Sequence, residues 1–168
     1  MIMEKYNKET MAKVEGRSLP ISTKQAIEIS NFIRRKKVQK AKIYLEAVLN
    51  MKKAIPFTRF NKGVGHKPGI GPGRYPINAS KNVLMLLNSA EANAQFKGLN
   101  TSNLVISHIN ANKASCAWHY GRQRRREMKR TNMTIILSEG KQIKKEVKEA
   151  KPEEKGKKLG EEMSKNKK

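Results

Sequence analysis

Apolar residues recur three or four positions apart in three stretches of the chain. These stretches, residues 23–34, 39–51 and 80–97, have the spacing of amphipathic helices. Ser22 followed three residues later by Gln25 fits a capping box at the start of the first helix. The pattern therefore predicts three helices, each of which buries one face against the rest of the domain.

Three shorter segments have the pattern of β-strands. Residues 104–110 alternate apolar and polar positions, and residues 133–137 are rich in β-branched side chains. Residues 12–17 are a weaker strand candidate. Because the two clear strands are close in sequence, we expect them to pair antiparallel as a hairpin.

The insertion loop, residues 52–79, separates the second and third predicted helices. It holds four of the six prolines, five of the eleven glycines and no acidic residue. This density of Pro and Gly argues against regular structure for most of the loop, and loops this long are usually functional or disordered. Its string GVGHKPGIGPG lacks the Gly-Lys-Ser/Thr ending of a phosphate-binding loop, so we expect it to lie along nucleic acid instead. The residues expected to bind there are Arg59, Lys62, His66, Lys67 and Arg74.

The charge of the chain points to a polyanionic partner. Among 168 residues, Lys and Arg total 37 and acidic residues total 14, all of them Glu, which gives a formal net charge of +23. So much like charge repels itself, and a polyanion is its natural neutraliser. The absence of Asp excludes Asp-based catalytic triads, paired-Asp metal nucleases and EF-hand loops.

Cysteine and apolar content bear on the cellular environment. Cys116 is the single cysteine, so no internal disulfide can form and a reducing compartment is indicated. Cys116 and His119 have a C-x-x-H spacing, but no second pair completes four zinc ligands, and we expect no metal. The longest apolar run, residues 83–87, is far shorter than the roughly 20 residues of a membrane helix. The N-terminal residues show no signal-peptide pattern.

The segment KASCAWHYGRQRRREMKR, residues 113–130, lies between the two clear strands and contains seven Lys or Arg against one acid. A tight hairpin needs only about two to five connecting residues. The excess is either a disordered basic loop that binds any polyanion, or two arms of about 30 Å that must be buried in something negative. Aromatic groups interleaved with arginines suit partly unstacked RNA. The hairpin residues expected to bind RNA are Lys113, Arg122, Arg124, Arg125, Arg126, Lys129 and Arg130, with Trp118, His119 and Tyr120 beside them.

Another basic group lies on and between the first two predicted helices. The run 34–37 either contacts phosphate or is a solvated helix end favoured by the helix dipole. Glu28, Glu46 and Glu91 fall on separate helices, and we expect each to be an isolated surface carboxylate. The basic residues of this region expected to bind RNA are Lys24, Arg34, Arg35, Lys36, Lys37 and Lys40.

Four segments, in this order, resemble one ribosomal protein family. They read RSLPISTKQAIEI (17–29), KAKIYLEAVLNMKKAIPFTRFNKGVGH (40–66), NSAEANAQFKGL (88–99) and LVISHINANKA (104–114). Residues 12–139 are thereby similar to the universal large-subunit ribosomal protein of the L-twenty-two family. The long Gly- and Pro-rich insertion is typical of the archaeal and eukaryotic branch of that family.

The resemblance implies an α+β fold. Three helices pack on a small three-stranded antiparallel sheet, with one long projecting β-hairpin and a flexible C-terminal tail. The tail mixes 11 Lys with 6 Glu and cannot bury enough apolar surface to fold alone. The chain then divides into a flexible N-terminus (1–11), one RNA-binding domain (12–139) with the insertion loop (52–79) and the extended hairpin (111–132), and a basic, disordered tail (140–168).

The resemblance also implies a function. It indicates a structural constituent of the large ribosomal subunit that binds ribosomal RNA and supports subunit assembly and translation. The body is expected near the exit of the nascent-peptide tunnel, which the hairpin lines, with Trp118, His119 and Tyr120 as candidates for its tip. Expected partners are ribosomal RNA, neighbouring large-subunit proteins and the nascent peptide, in the cytoplasm. We expect no catalysis, cofactor, membrane contact or homo-oligomer. The alternative interpretation is a free-standing, non-specific nucleic-acid-binding protein.

Overall fold

The computed structural model of the protein describes residue 7 and residues 10–140. The predicted N-terminal segment and the predicted tail lie almost wholly outside these residues. The elements, in chain order, are β1 (Met11–Leu19), α1 (Thr23–Ile33), α2 (Val38–Leu49), β2 (Ile55–Pro56), β3 (His66–Lys67), β4 (Gly71–Arg74), α3 (Ile77–Phe96), β5 (Leu104–Lys113) and β6 (Thr131–Glu139).

The main sheet is antiparallel and has the strand order β1-β6-β5. Ile135 at the centre of β6 pairs with Val14 of β1 on one side and with Ile109 of β5 on the other. Alternate residues of β6 are buried, because successive side chains of a strand point to opposite faces. All three predicted strands are present, and each is longer than its sequence pattern indicated.

The three predicted helices are also present, and they pack against this sheet. α3 contacts β1 and α2, and α1 contacts β5. Their apolar faces supply Ile29, Leu45 and Leu87, which are fully buried with Ile135 in one core. Each such side chain contributes roughly 1.5–3 kcal/mol of burial free energy. The fold is therefore α+β. No helix in the described part of the chain is both long and apolar enough to cross a membrane.

The insertion loop contains a second, smaller antiparallel sheet of order β2-β4-β3. The expectation that most of this loop lacks regular elements overlooked these short strands. Gly69 and Gly71 have φ angles of 72° and 82°, which allow the tight turn between β3 and β4. Pairing here extends over only two residues on each side of β4, so it tolerates the prolines that longer strands exclude.

The start of α1 is held by a tertiary contact and not by the predicted capping box. Ser22 precedes the helix, but its side chain makes no capping hydrogen bond, so the predicted capping box is wrong. Instead the buried Thr131 hydroxyl donates to the Ile21 carbonyl at 2.9 Å and lies 2.9 Å from the Thr23 hydroxyl. This contact ties the first residue of β6 to the entry of α1, and a tertiary tether thus replaces the local cap.

We predict that Thr131→Val lowers the free energy of unfolding by about 1–2 kcal/mol, because the Ile21 carbonyl loses its buried donor while the side-chain volume is kept. Urea denaturation measures the change. Thr134→Val, on the opposite face of β6, is the matched control and should be close to neutral. Equal stability of the two variants would contradict the tether.

Candidate nucleic-acid interface

Five cationic side chains from three parts of the chain line one cavity of about 370 Å³. They are Lys24 on the first turn of α1, Arg59, Lys62 and Arg74 of the insertion loop, and Lys129 just before β6. The structure thus brings together members of all three basic sets that the sequence indicated. We call this cavity the cationic pocket. Its remaining lining residues are Ser22, Gln25, Phe57 and Phe60.

The cationic pocket lacks compensating charge. No carboxylate is among its lining residues, and within residues 10–140 none of its five cations forms an ion pair. Like charges held together around a concave surface focus a positive potential there, which favours an anionic ligand. The first turn of α1 adds the positive end of a helix dipole.

Two phenylalanines give the pocket an aromatic component. The Phe60 ring is half-buried, with the Arg59 Cζ atom 5.4 Å and the Lys24 Nζ atom 5.8 Å from its centroid. The Phe57 ring is buried, and the Arg74 Cζ atom lies 5.9 Å from its centroid. These distances lie within the range of cation–π contacts, so the rings help to order the cations.

A buried carboxylate holds the wall of the pocket in place. Glu28 of α1 is only 1% exposed, and its Oε1 atom accepts hydrogen bonds from the backbone N–H groups of Arg59 and Phe60 at 2.9 and 2.8 Å. Its Oε2 atom accepts from the N–H and hydroxyl of Thr58 at 3.1 and 3.2 Å. Three successive backbone N–H groups therefore wrap one charge, as in an anion-binding nest.

The expectation that Glu28 and Glu91 are isolated surface carboxylates is wrong. Glu28 anchors the insertion loop, and Glu91 forms a partly buried ion pair with Lys42 between α3 and α2. Glu46 is exposed, as expected. Helical spacing could not reveal these partners, because they come from the insertion loop and from a neighbouring helix. Sequence analysis also missed Phe57 and Phe60, whose signal was the Phe-Thr-Arg-Phe run inside a basic segment.

In the basic run between α1 and α2, some side chains contact the fold and others are exposed to solvent. The Arg34 Nη2 atom donates to the Ile109 carbonyl at 3.2 Å, so this side chain reaches β5. The Lys36 ammonium lies 3.3 Å from the centroid of the Phe32 ring, and burial lowers the pKa of this lysine. Arg35, Lys37 and Lys40 are exposed.

The backbone of this run pairs with the edge of the main sheet. The Arg35 N–H donates to the Ile106 carbonyl at 3.0 Å, and the Ile106 N–H donates to the Lys36 carbonyl at 3.1 Å. Arg35 adopts a φ of 62° to make this turn. Pairing of this kind covers an otherwise open strand edge. The run is therefore not simply a solvated helix end.

His66 and Lys67 lie on β3 and do not line the cationic pocket. His66 is exposed, and the Lys67 Nζ atom is 5.4 Å from the centroid of the Tyr75 ring. β3 pairs with β4, which ends at Arg74, yet of these three predicted residues only Arg74 lines the pocket.

The segment between β5 and β6 has a few cross-strand backbone hydrogen bonds. The Ala114 N–H donates to the Arg130 carbonyl at 3.1 Å, and the Met128 N–H donates to the Ala117 carbonyl at 2.8 Å. The Lys113 ammonium is 3.4 Å from the Glu127 carboxylate, the one acid of the segment. The other basic residues predicted here divide into exposed Arg122, Arg124, Arg125, Arg126 and Lys129 and half-buried Arg130, whose Nη1 atom donates to the Ser18 carbonyl at 3.2 Å.

The predicted tip residues come just before the turn of this segment. Trp118 is 61% exposed and Tyr120 is 85% exposed, whereas His119 is half-buried and its N–H donates to the Arg126 carbonyl at 2.9 Å. The turn itself is a short 3-10 helix at Gly121–Gln123, entered with a φ of 65° at Gly121. Within the described residues, no cluster of three or more metal-ligating side chains occurs.

These features define a class of protein: a small, strongly basic α+β domain with cations converging from a helix, a loop and a hairpin. Comparison with known proteins identifies the family. Residues 14–148 match the family model described as "Ribosomal protein L22p/L17e". The chain belongs to this family, which is one of structural ribosomal proteins and not of enzymes.

Relatives support the same assignment over most of the chain. The large ribosomal subunit protein uL22 of Thermoplasma acidophilum is 41% identical over 148 residues, covering 83% of this chain and 98% of the relative. The proteins of the same name from Thermoplasma volcanium and Archaeoglobus fulgidus are 42% and 47% identical; their alignments cover 73% and 65% of this chain, and 86% and 72% of the relatives.

We predict that Glu28→Gln lowers the free energy of unfolding by about 2–3 kcal/mol, because the amide removes the charge and turns its own donors toward backbone N–H groups. Thermal unfolding measures the loss. Limited trypsin digestion should also cut faster after Arg59 and Lys62, since the loop is released from α1.

The matched control is Glu46→Gln, an exposed position on α2 where we expect a change within about 0.5 kcal/mol. If Glu28→Gln melted and was cleaved like the wild-type protein, the anchoring role of this carboxylate would be refuted.

Proposed function

We propose that this protein is a structural constituent of the large ribosomal subunit that binds ribosomal RNA and supports subunit assembly and translation. The observation that carries this proposal is the convergence on the cationic pocket of five cations that form no ion pair within the described residues, in a chain of this family. The partners proposed are ribosomal RNA and neighbouring proteins of the large subunit, in cytoplasmic ribosomes.

The proposed RNA contacts follow from side-chain chemistry. Arginine binds phosphate through two parallel hydrogen bonds, whereas lysine acts as a point charge. We assign phosphate contacts to the cations of the pocket and to the exposed cations Arg35, Lys37 and Lys40. Further phosphate contacts fall to His66 and Lys67. We assign Arg34 and Lys36 a supporting role, because both side chains contact the fold itself.

The proposed role of residues 111–132 is that of a long hairpin threaded among RNA helices. Its coating of exposed arginines and near absence of acid support burial in RNA rather than in protein. In this proposal the body lies near the tunnel exit, and Trp118, His119 and Tyr120 lie closest to the nascent peptide. An exposed Trp118 and Tyr120 are available for stacking on unpaired bases.

The first test is sedimentation of native lysate through a sucrose gradient after a high-salt wash. We expect the protein to stay in the large-subunit peak, stoichiometric with other large-subunit proteins, because a threaded hairpin is not displaced by screening of exposed charge. Release to the top of the gradient would instead support the alternative of a peripheral, non-specific nucleic-acid binder.

A second prediction concerns the order of the hairpin. In the free protein we expect amides of residues 113–130 to exchange rapidly with solvent, because few backbone hydrogen bonds hold them. Ile109 and Ile135 in the main sheet serve as slow-exchanging internal controls. In the assembled subunit the same hairpin amides should be protected. Strong protection without RNA would contradict the dependence of hairpin order on RNA.

A further inference from the structure

We infer that the cationic pocket binds a single unpaired nucleotide of RNA, with its phosphate among the cations and its base against the Phe60–Arg59 pair. The inference rests on the proposed RNA-binding function and specifies the form of RNA that one part of the surface takes. Its basis is the combination of shape, charge and aromatic surface in one place.

The shape of the pocket favours a nucleotide over a flat duplex surface. A cavity of about 370 Å³ lies within the range of sites that enclose small ligands, about 300–1,000 Å³. A duplex presents a continuous backbone with its bases hidden, whereas an unpaired nucleotide can enter a concavity. Of the segment between β5 and β6 only Lys129 lines the pocket, whereas the exposed tip residues Trp118 and Tyr120 do not.

The charges of the pocket suit one phosphate group. Lys24, Arg59 and Lys129 approach from three different elements, so a phosphate between them is contacted from several sides. The Ser22 side chain, which makes no capping bond, also lines the cavity and can donate to an anionic oxygen. A phosphate bound there would relieve the mutual repulsion among the five cations, which makes the pocket strongly positive on its own.

The aromatic wall suits a base. Bases stack on aromatic rings and on guanidinium planes, and Phe60 and Arg59 supply one of each with the Cζ atom 5.4 Å from the ring centroid. The half-buried Phe60 ring orders Arg59 and Lys24, and it also offers a stacking surface that a phosphate alone does not need. Phe60 therefore distinguishes a nucleotide site from a simple anion site.

The wall is fixed before RNA arrives. Glu28 holds the backbone N–H groups of both Arg59 and Phe60, which sets the position of the stacking pair relative to Lys24 on the same helix as Glu28. A prearranged site loses less entropy on binding than a loop that must order around its ligand. Glu28 is accordingly a positioning residue for the pocket.

The test uses the full-length protein and two RNA hairpins with the same stem, one of which carries a single unpaired nucleotide. Fluorescence anisotropy at fixed salt gives both dissociation constants. We expect the wild-type protein to prefer the bulged RNA, and Phe60→Leu to weaken binding of that RNA by about tenfold while leaving the uniform stem nearly unchanged.

The matched control is Phe96→Leu, because this ring is 94% exposed at the end of α3 and does not line the pocket. It should leave both dissociation constants unchanged. If Phe60→Leu weakened both RNAs equally, or neither, the nucleotide site would be refuted while RNA binding stood. If the wild-type protein bound neither RNA more tightly than a DNA duplex of equal length, the proposed function would fail as well.

A crosslinking measurement on the wild-type protein avoids any folding defect of the variant. 4-Thiouridine at the unpaired position is irradiated in the complex, and the adduct is mapped by mass spectrometry. We expect the adduct on residues 57–62 or on Lys24. An adduct confined to residues 113–128, none of which lines the pocket, would overturn the inference and assign the unpaired base to the hairpin.

Discussion

Mutual repulsion among 37 cationic side chains, opposed by only 14 carboxylates, is the constraint on which the rest of the structure depends. A small domain can tolerate this excess only if cations stay solvated or are held close together where a polyanion will neutralise them. Most cations of the described residues stay solvated, because the core of helices and sheet is apolar and almost free of charged side chains. The cationic pocket meets the second condition, since it concentrates charge in one concave place.

The one charged residue in the described core, Glu28, explains how the cations are kept together at the pocket. Glu28 is a fully buried carboxylate, and burial of a charge is costly unless hydrogen bonds compensate it. Four donors from residues 58–60 provide that compensation. The scarce acidic residues of the chain thus do more than balance charge: Glu28 fixes the insertion loop on α1, and Glu91 joins α3 to α2 through Lys42.

Segments that resemble the ribosomal family are also segments that form the cationic surfaces of the fold. The segments that resemble the ribosomal family include α1, the basic insertion and β5, which are also the elements that build the pocket and support the hairpin. Membership of the family gives the cationic surfaces a common polyanionic partner in the proposed function. The second sheet helps to position the pocket, because β4 ends at Arg74 and the Phe57 N–H, directly after β2, donates to the Pro72 carbonyl of β4 at 2.9 Å.

Periodicity and composition, which are local properties, determined the three helices, the main-sheet strands and the segments that carry charge, and the family resemblance supplied the α+β class. The sequence did not reveal the buried role of Glu28, the inward contacts of Arg34 and Lys36, or the failure of the Ser22 cap, because each depends on a partner distant along the chain. Only tertiary structure decided that Lys24, Arg59 and Lys129 share one cavity. Their meeting depends on how α1, the insertion loop and the start of β6 pack, and no local pattern encodes that packing.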